Sequence, residues 1–217
     1  MQETPLPHPL GDSAITITFG NERSAALLSR IHATVRHLRV SGIPDVKDIV
    51  PAYLTVTVFY DALRTTYQEM AVRLIETCRL IPEPSARDEE NRQHVIPVRY
   101  DGIDLQLVAT ATGLSVEEVI LRHSARTYTV DLLGFVPGFA YLSELDPKLQ
   151  LPRRPQPRPR VAVGSVAVAA AQTGIYPLDT PGGWHIIGTT DRLMFDPVRD
   201  RPALLAAGDR VRFERVR

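Results

Sequence analysis

The sequence has very little cysteine, no excess of charge of either sign and no long hydrophobic segment. Its single cysteine, Cys78, excludes an intramolecular disulfide and a zinc site built from several cysteines. Lysine plus arginine and aspartate plus glutamate each total 25, so no overall field attracts nucleic acid or an anionic membrane. No apolar run reaches the roughly 18 residues of a membrane span, and the N-terminal segment does not resemble a secretory signal. We therefore expect a cytoplasmic protein with neither nucleic acid nor membrane as a partner.

The length and composition predict two ordinary globular domains. Hydrophobic residues make up 44% of the 217 residues and charged residues 23%, which are typical globular values. A polar stretch over 83–93 separates two parts of different character. We place an N-terminal domain at 1–82, a linker at 83–93 and a C-terminal domain at 94–217.

The N-terminal part predicts an α+β fold. "AITITF", "VKDIV", "YLTVTVFY" and "HVIPVRY" read as strands, with Pro97 better suited to an edge strand than to a central one. One helix is expected from a cap at Asn21 to Gly42, and another over 66–81, where Cys78 lies on the apolar face and packs in the core. The order βαββαβ is that of the ferredoxin-like split motif.

The middle segment predicts two short helices joined at Gly113. Ser115 and Glu118 have the spacing of a capping box at the start of the second helix. This arrangement raises a helix-turn-helix hypothesis. However, Glu117 and Glu118 would face the phosphates of DNA and repel them, so DNA binding is disfavoured.

From about residue 126 onward the chain consists of short apolar runs broken by glycine and proline, which predicts a small closed barrel or a sandwich. Within it, "LGFVPGFAYL" places Phe135, Phe139 and Tyr141 around a turn. Such aromatics form either core or the apolar wall of a pocket.

The segment "LPRRPQPRPRV" spaces four arginines, Arg153, Arg154, Arg158 and Arg160, among prolines. Proline stiffens an extended backbone, and guanidinium groups bind carboxylate or phosphate. The segment is therefore a candidate anion clamp. A solvated linker and a proline-rich peptide ligand are the alternatives.

The segment "AAAQTGIYPLDTPGGWHIIG" gathers several chemically useful residues. Gly182-Gly183 can adopt positive φ and expose amide groups, Trp184 offers a stacking face, and His185 is either a general base or a hydrogen-bonded structural residue. Gln172-Thr173 can bind an amide. No phosphate-binding loop, HExxH zinc motif or nucleophile elbow is present, and we predict no metal site. The residues themselves indicate a pocket for an amide or an acid, with the reaction left open.

"LGFVPGFAYL" and "PRPRVAVGSVAVAAAQTGIYPLDTPGGWHIIGTT" resemble the family of 5-oxoprolinase B subunits, also known as allophanate hydrolase subunit 1 and as the kinase-inhibitor protein KipI. The resemblance covers nearly the full length and implies a C-terminal cyclophilin-like β-barrel. The chain departs from the family pattern at 162–163, 170–171, 180 and 189. At 170–171 it has alanines in place of glycines, and we expect their methyl groups to disfavour positive φ there.

The resemblance implies one component of an ATP-dependent enzyme that opens 5-oxoproline to glutamate together with the A and C subunits, the latter carboxyltransferase-like. ATP is expected to serve the assembled complex. The expected catalytic residues are His185 as a base and Gln172, and the expected substrate-binding residues are Arg158, Arg160, Thr173, Gly182, Gly183, Trp184, Phe135, Phe139 and Tyr141. Inhibition of a sensor histidine kinase and a role in an allophanate- or urea-related carboxyltransferase or amide hydrolase are the alternatives.

Overall fold

The computed structural model describes residues 7–22, 24–80 and 92–217. The chain divides into two compact units, Met1–Glu90 and Asn91–Arg217. Most of the predicted linker lies outside the described residues, while Gln93 already begins a strand. No helix in the described part of the chain is both long and apolar enough to cross a membrane.

The first unit is a four-stranded antiparallel sheet packed against two helices. Its elements are β1 (Pro7–Pro9), β2 (Ala14–Thr18), α1 (Ala25–Val40), β3 (Val46–Pro51), β4 (Thr55–Tyr60) and α2 (Tyr67–Arg79), and the sheet order is β1-β2-β4-β3. Alternate residues of β2 and β4, such as Ile15 and Val58, meet helix residues such as Ile31 and Leu74 in one core. The apolar faces predicted for the strands and for the helices therefore pack against one another.

The helices of this unit begin at side-chain caps. α2 starts at Thr66 with a full capping box to Glu69. α1 starts at Ser24, whose hydroxyl accepts a hydrogen bond from the Leu27 amide at 3.1 Å, so the predicted cap at Asn21 is wrong. The cap falls later because a side-chain oxygen must lie within three residues of a free helical amide.

The strand predicted at "HVIPVRY" does not complete the N-terminal sheet. It forms β5 (Gln93–Val98), which pairs in parallel with the last strand of the second unit. The described first unit thus has the order ββαββα, and the ferredoxin-like arrangement is not observed. β5 lies at one end of its sheet, which confirms the edge position expected from Pro97, since proline has no amide to donate to a second neighbour.

Cys78 packs against the core of the first unit but is only partly buried. Burial raises the pKa of its thiol to about 11. The thiol is therefore protonated at neutral pH and a poor nucleophile.

The second unit is built on a seven-stranded sheet that nearly closes into a barrel. After β5 come α3 (Leu105–Thr112), α4 (Val116–Ser124), β6 (Thr127–Leu133), β7 (Ala140–Ser143), a 3-10 turn (Pro147–Leu149), β8 (Arg158–Val161), β9 (Ser165–Ala169), β10 (Gln172–Ile175), β11 (Thr180–Gly182), β12 (His185–Thr189) and β13 (Arg210–Arg215). The order is β12-β9-β10-β7-β6-β13-β5, with β8 and β11 paired separately. Arg99 and Thr189 exchange backbone hydrogen bonds of 2.9 and 2.7 Å between the two ends.

The two helices predicted in the middle segment are confirmed. Gly113 ends α3 with φ of 69°, and Ser115 and Glu118 form a capping box at the start of α4. One face of each helix is buried in the main core of the second unit, through residues such as Val108 and Val119.

Ala170, in the turn between β9 and β10, has a left-handed backbone with φ of 48°. The expectation that alanine avoids positive φ here is wrong. The conformation is held by two strands that pair on either side of the turn and by a 2.7 Å hydrogen bond from the Ala170 amide to the Leu151 carbonyl. A left-handed non-glycine residue costs about 1–2 kcal/mol.

We expect Ala170→Gly to raise the free energy of unfolding by about 0.5–1 kcal/mol, because relief of the left-handed strain exceeds the entropy cost of glycine. Ala171→Gly is the matched control. Ala171 does not have positive φ, so its replacement should lower the free energy of unfolding. Urea denaturation of both variants measures this, and equal effects at the two positions would contradict the strain argument.

Candidate functional site

A buried carboxylate at the start of α3 organises the polar part of the second unit. The Asp104 amide donates to the Ile186 carbonyl at 2.9 Å, and the Ile186 amide donates to Asp104 Oδ2 at 2.8 Å. This close approach requires a glycine before the helix, because a Cβ on Gly102 would overlap the backbone of Ile187. The turn before α3 is thereby fixed against β12.

Two arginines of the proline-rich segment bind the other oxygen of the same carboxylate. Arg158 Nη2 lies 2.6 Å and Arg154 Nη1 3.2 Å from Asp104 Oδ1. The Asp104 side chain is 4% exposed, whereas those of Arg154 and Arg158 are 27% and 20% exposed. The segment is therefore not a free linker at these two positions.

The pKa of Asp104 lies below its ordinary value. Burial acts to raise it, but the hydrogen bonds from Arg158 and the Ile186 amide and the charges of both arginines together outweigh that effect. Asp104 is therefore ionised at neutral pH. One carboxylate and two guanidinium groups leave the cluster with one net positive charge.

The arginines are not fully satisfied by these contacts. Arg154 Nε and Arg158 Nη1 are both buried and have no hydrogen-bond partner among the described residues. A buried unpaired N–H group costs about 1–3 kcal/mol, so such groups are uncommon in folded proteins. The cluster thus holds two donor nitrogens for which the described residues supply no acceptor.

His185 lies beside this cluster at the start of β12. Its Nε2 lies 2.9 Å from the Pro152 carbonyl oxygen, and because that oxygen only accepts, Nε2 carries the proton. In the neutral form of the ring Nδ1 bears the lone pair, and in the described part of the chain this buried atom has no partner. The Arg154 amide also donates to the Gly183 carbonyl at 2.8 Å. The two segments singled out from the sequence are therefore brought together.

The aromatic residues of the same region form a small core. Trp184 is 5% exposed and packs edge-to-face on Phe139 at 5.4 Å, with Tyr141 at 5.9 Å between ring centroids. Trp184 therefore presents no exposed stacking face. Phe135, by contrast, is 59% exposed in a turn with φ of 70°.

Gly182 and Gly183 do not have positive φ, so that part of the sequence interpretation is wrong. Gly182 is required for a different reason. A Cβ there would overlap the hydroxyl end of Tyr176, whereas a Cβ on Gly183 would meet only ordinary contacts. Close packing, not turn conformation, explains the first of these glycines.

Thr173 lies in a buried hydrogen-bonded chain. Its hydroxyl donates to the Ala167 carbonyl at 2.9 Å and accepts from His123 Nε2 at 2.9 Å, and His123 Nδ1 accepts from the Tyr100 hydroxyl at 2.8 Å. Burial lowers the pKa of His123 to about 3, so the ring is neutral. The Thr173 hydroxyl is thus engaged within the core.

Two further predicted site residues lie outside the Asp104 cluster. Arg160 forms an exposed ion pair with Asp179, which also accepts from the Val163 amide at 2.8 Å. Gln172 starts β10, opposite Ser143 and Ala169 in the sheet.

Nearly the whole chain is similar to proteins of one family. A family model described as the carboxyltransferase domain, subdomain C and D, matches residues 5–205. The protein of Bacillus subtilis that is named as the B subunit of 5-oxoprolinase is 38% identical over 95% of this chain and 91% of its own length. The chain belongs to this family.

Solved structures share the fold of this chain. A protein solved as TTHA0988 superposes with a TM-score of 0.84 at 43% identity, over 94% of this chain. This family member spans only 40% of TTHA0988. The urea amidolyase of Kluyveromyces lactis has a TM-score of 0.77 over 98% of this chain but 15% of its own, and at 17% identity it shows the fold alone.

In this member of the 5-oxoprolinase family, sequence reasoning missed Asp104 as the centre of the cluster and did not include Arg154 among the site residues. Asp104 directly precedes α3, where aspartate usually serves as a helix cap, yet its side chain caps no helical amide. The sequence feature that could have pointed to Asp104 is Gly102, two residues earlier in the same short turn. Its arginine partners, 50 and 54 residues away, give no local pattern.

We expect Asp104→Ala in this family member to lower the free energy of unfolding by about 2–4 kcal/mol, because it leaves two partly buried arginines and the Ile186 amide without an acceptor. The pKa of Asp104 is lowered on folding, so its stabilisation is present above the unfolded value near 3.8 and is lost as the pH falls through the folded value. The two proteins should therefore converge in acid.

Chemical denaturation across pH measures this difference, with Asp101→Ala as the matched control. Asp101 is exposed and accepts from Thr189, so its loss should change stability by less than about 1 kcal/mol. A pH-independent difference for Asp104→Ala would contradict the ionised cluster.

Proposed function

We propose that this chain is one component of an ATP-dependent 5-oxoprolinase, which opens 5-oxoproline to L-glutamate with partner subunits in the cytoplasm. The observation that carries the proposal is the 38% identity to a 5-oxoprolinase B subunit over nearly the whole of both chains. The cluster of Asp104, Arg154, Arg158 and His185 supports it, because the cluster combines net positive charge with unpaired donors and a nitrogen lone pair.

The chemistry follows from the poor reactivity of a lactam. Transfer of the γ-phosphoryl group of ATP to the lactam oxygen makes the ring carbon electrophilic. One water then adds to that carbon and the ring C–N bond breaks, which leaves the γ-carboxyl group of glutamate as an acyl phosphate. A second water hydrolyses the acyl phosphate, so that 5-oxoproline, ATP and two waters give glutamate, ADP and phosphate. Such a site requires positive charge near the substrate and a base for the attacking water.

His185 fits the role of the base through Nδ1. The Pro152 carbonyl holds the Nε2 proton and orients the ring, so the lone pair is on the other nitrogen. Nδ1 is buried and unpartnered in the described chain. The attacking water would supply the missing hydrogen bond.

Partner subunits complete the enzyme in this proposal. The sequence contains no phosphate-binding loop motif, so ATP would be bound in the assembled complex with the A and C subunits. The solved relative TTHA0988 supports this view, because the present chain matches only 40% of it, which leaves room for a fused partner region.

Carboxyl transfer is the second candidate function. It is favoured by the family description, which names a carboxyltransferase domain. A complex that carboxylates an amide would consume bicarbonate, whereas ring opening would not.

We expect the chain alone to release no glutamate from 5-oxoproline, and the complex purified with its partner subunits to release one glutamate per ATP hydrolysed. An assay of glutamate and ADP, with and without bicarbonate, measures this. Turnover by the isolated chain would contradict the shared site. Activity that depends on bicarbonate would favour carboxyl transfer, and a complex that instead forms with a sensor histidine kinase would favour regulation.

We expect His185→Gln to lower kcat of the complex by about 10²- to 10⁴-fold with little change in melting temperature. Glutamine retains an N–H donor for the Pro152 carbonyl but has no basic nitrogen. The emission of Trp184, the only tryptophan, reports whether the adjacent loop is undisturbed. Normal turnover combined with a lowered melting temperature would assign His185 a structural role.

A further inference from the structure

We propose that Arg154 and Arg158 form the subsite for the carboxylate of a small lactam acid, held in place by Asp104. This inference rests on the proposed function and deepens it. It assigns the substrate's charged group to two named arginines of this chain.

The charge of the cluster selects a monovalent anion. Asp104 neutralises one of the two guanidinium groups that contact its Oδ1, which leaves one positive charge. A carboxylate of charge −1 brings the cluster to neutrality. A phosphate group of charge near −2 would leave an uncompensated negative charge beside the ionised Asp104, which is unfavourable in a partly buried site.

The hydrogen-bonding capacity of the cluster matches the same ligand. Two donor nitrogens, Arg154 Nε with one N–H and Arg158 Nη1 with two, lack acceptors among the described residues, and a carboxylate has two acceptor oxygens. Both arginine side chains are partly exposed, at 27% and 20%, whereas these two nitrogens are themselves buried, so a small anion that meets the exposed part of the pair reaches them when the guanidinium groups rotate. Binding turns the unpaired N–H of each guanidinium toward a carboxylate oxygen.

Asp104 keeps the two guanidinium groups in a common position, since both bind one of its oxygens. Its other oxygen accepts from the Ile186 amide, so the position of the pair is fixed relative to β12. The Arg154 amide donates to the Gly183 carbonyl and His185 contacts the Pro152 carbonyl, so the arginine pair is attached to the segment that carries the residue assigned as the base.

Ligand-observed NMR on the complex with its partner subunits, without ATP, tests the subsite apart from turnover. We expect 5-oxoproline to bind, and 2-pyrrolidinone, which has the same lactam ring but no carboxylate, to bind at least tenfold more weakly. Inorganic phosphate should not displace 5-oxoproline. The titration with 5-oxoproline and with 2-pyrrolidinone extends to about 10 mM of each, above the usual range of KM values.

Arg154→Gln and Arg158→Gln should each weaken 5-oxoproline binding, and raise KM in the ATP-dependent assay, by about tenfold or more, as expected for loss of a hydrogen bond to a charged group. Arg154→Gln leaves the 2.6 Å contact between Arg158 and Asp104, so folding is retained in at least one variant. Arg215→Gln is the matched control, because it removes an exposed arginine paired with Glu117 in the same unit.

Equal binding of 2-pyrrolidinone and 5-oxoproline, absence of 5-oxoproline binding, displacement by phosphate, or unchanged affinity in both variants would each overturn the subsite. The outcomes that contradict the proposed function are different from those that contradict the subsite. A complex that binds 5-oxoproline through these arginines but releases no glutamate with ATP retains the subsite and loses the function. A complex that releases glutamate with unchanged KM in both variants retains the function and loses the subsite.

Discussion

The ionised carboxylate of Asp104 joins parts of the second unit that are distant in sequence. It holds the start of α3 against β12 through a pair of contacts with the backbone of Ile186, and it holds β8 and the proline-rich segment through Arg158 and Arg154. A buried charge is stable only when its lone pairs are satisfied. Asp104 therefore requires the arginines and the amide, and they require Asp104. Removal of any one of these groups leaves the others buried without a hydrogen-bond partner, which destabilises the fold.

Glycines allow this arrangement at the places where two backbones nearly touch. Gly102 lies on the backbone of Ile187, and Gly188 lies on the backbone of Arg99, where the ends of the sheet meet. A methyl group at either position would push the strands apart. The near closure of the barrel and the location of Asp104 thus depend on the same local condition. In both places a glycine without a side chain lets two backbone segments touch.

The sequence was informative wherever local chemistry decides the structure. The Gly113 turn and the Ser115 capping box were predictable because cap and helix lie within three residues of each other. The sheet to which β5 belongs was not predictable, because its apolar alternation fits either sheet. Its pairing with β13, which is distant in sequence, determines the sheet. The role of Trp184 was equally hidden, since a solvent-facing indole and an indole packed on Phe139 have the same local sequence. Asp104 required knowledge of contacts across at least 50 residues, which one sequence does not contain.

The unpaired arginine nitrogens of the site lower the stability of the fold. Each buried N–H without an acceptor costs about 1–3 kcal/mol, against a total folding stability of about 5–15 kcal/mol for a typical domain. Arg154 and Arg158 each carry one such donor nitrogen among the described residues, and lysine or glutamine at these positions would avoid part of that cost. A net positive cluster whose donors the described residues do not satisfy fits the proposed anionic ligand, because binding would then supply the hydrogen bonds that folding left unmade.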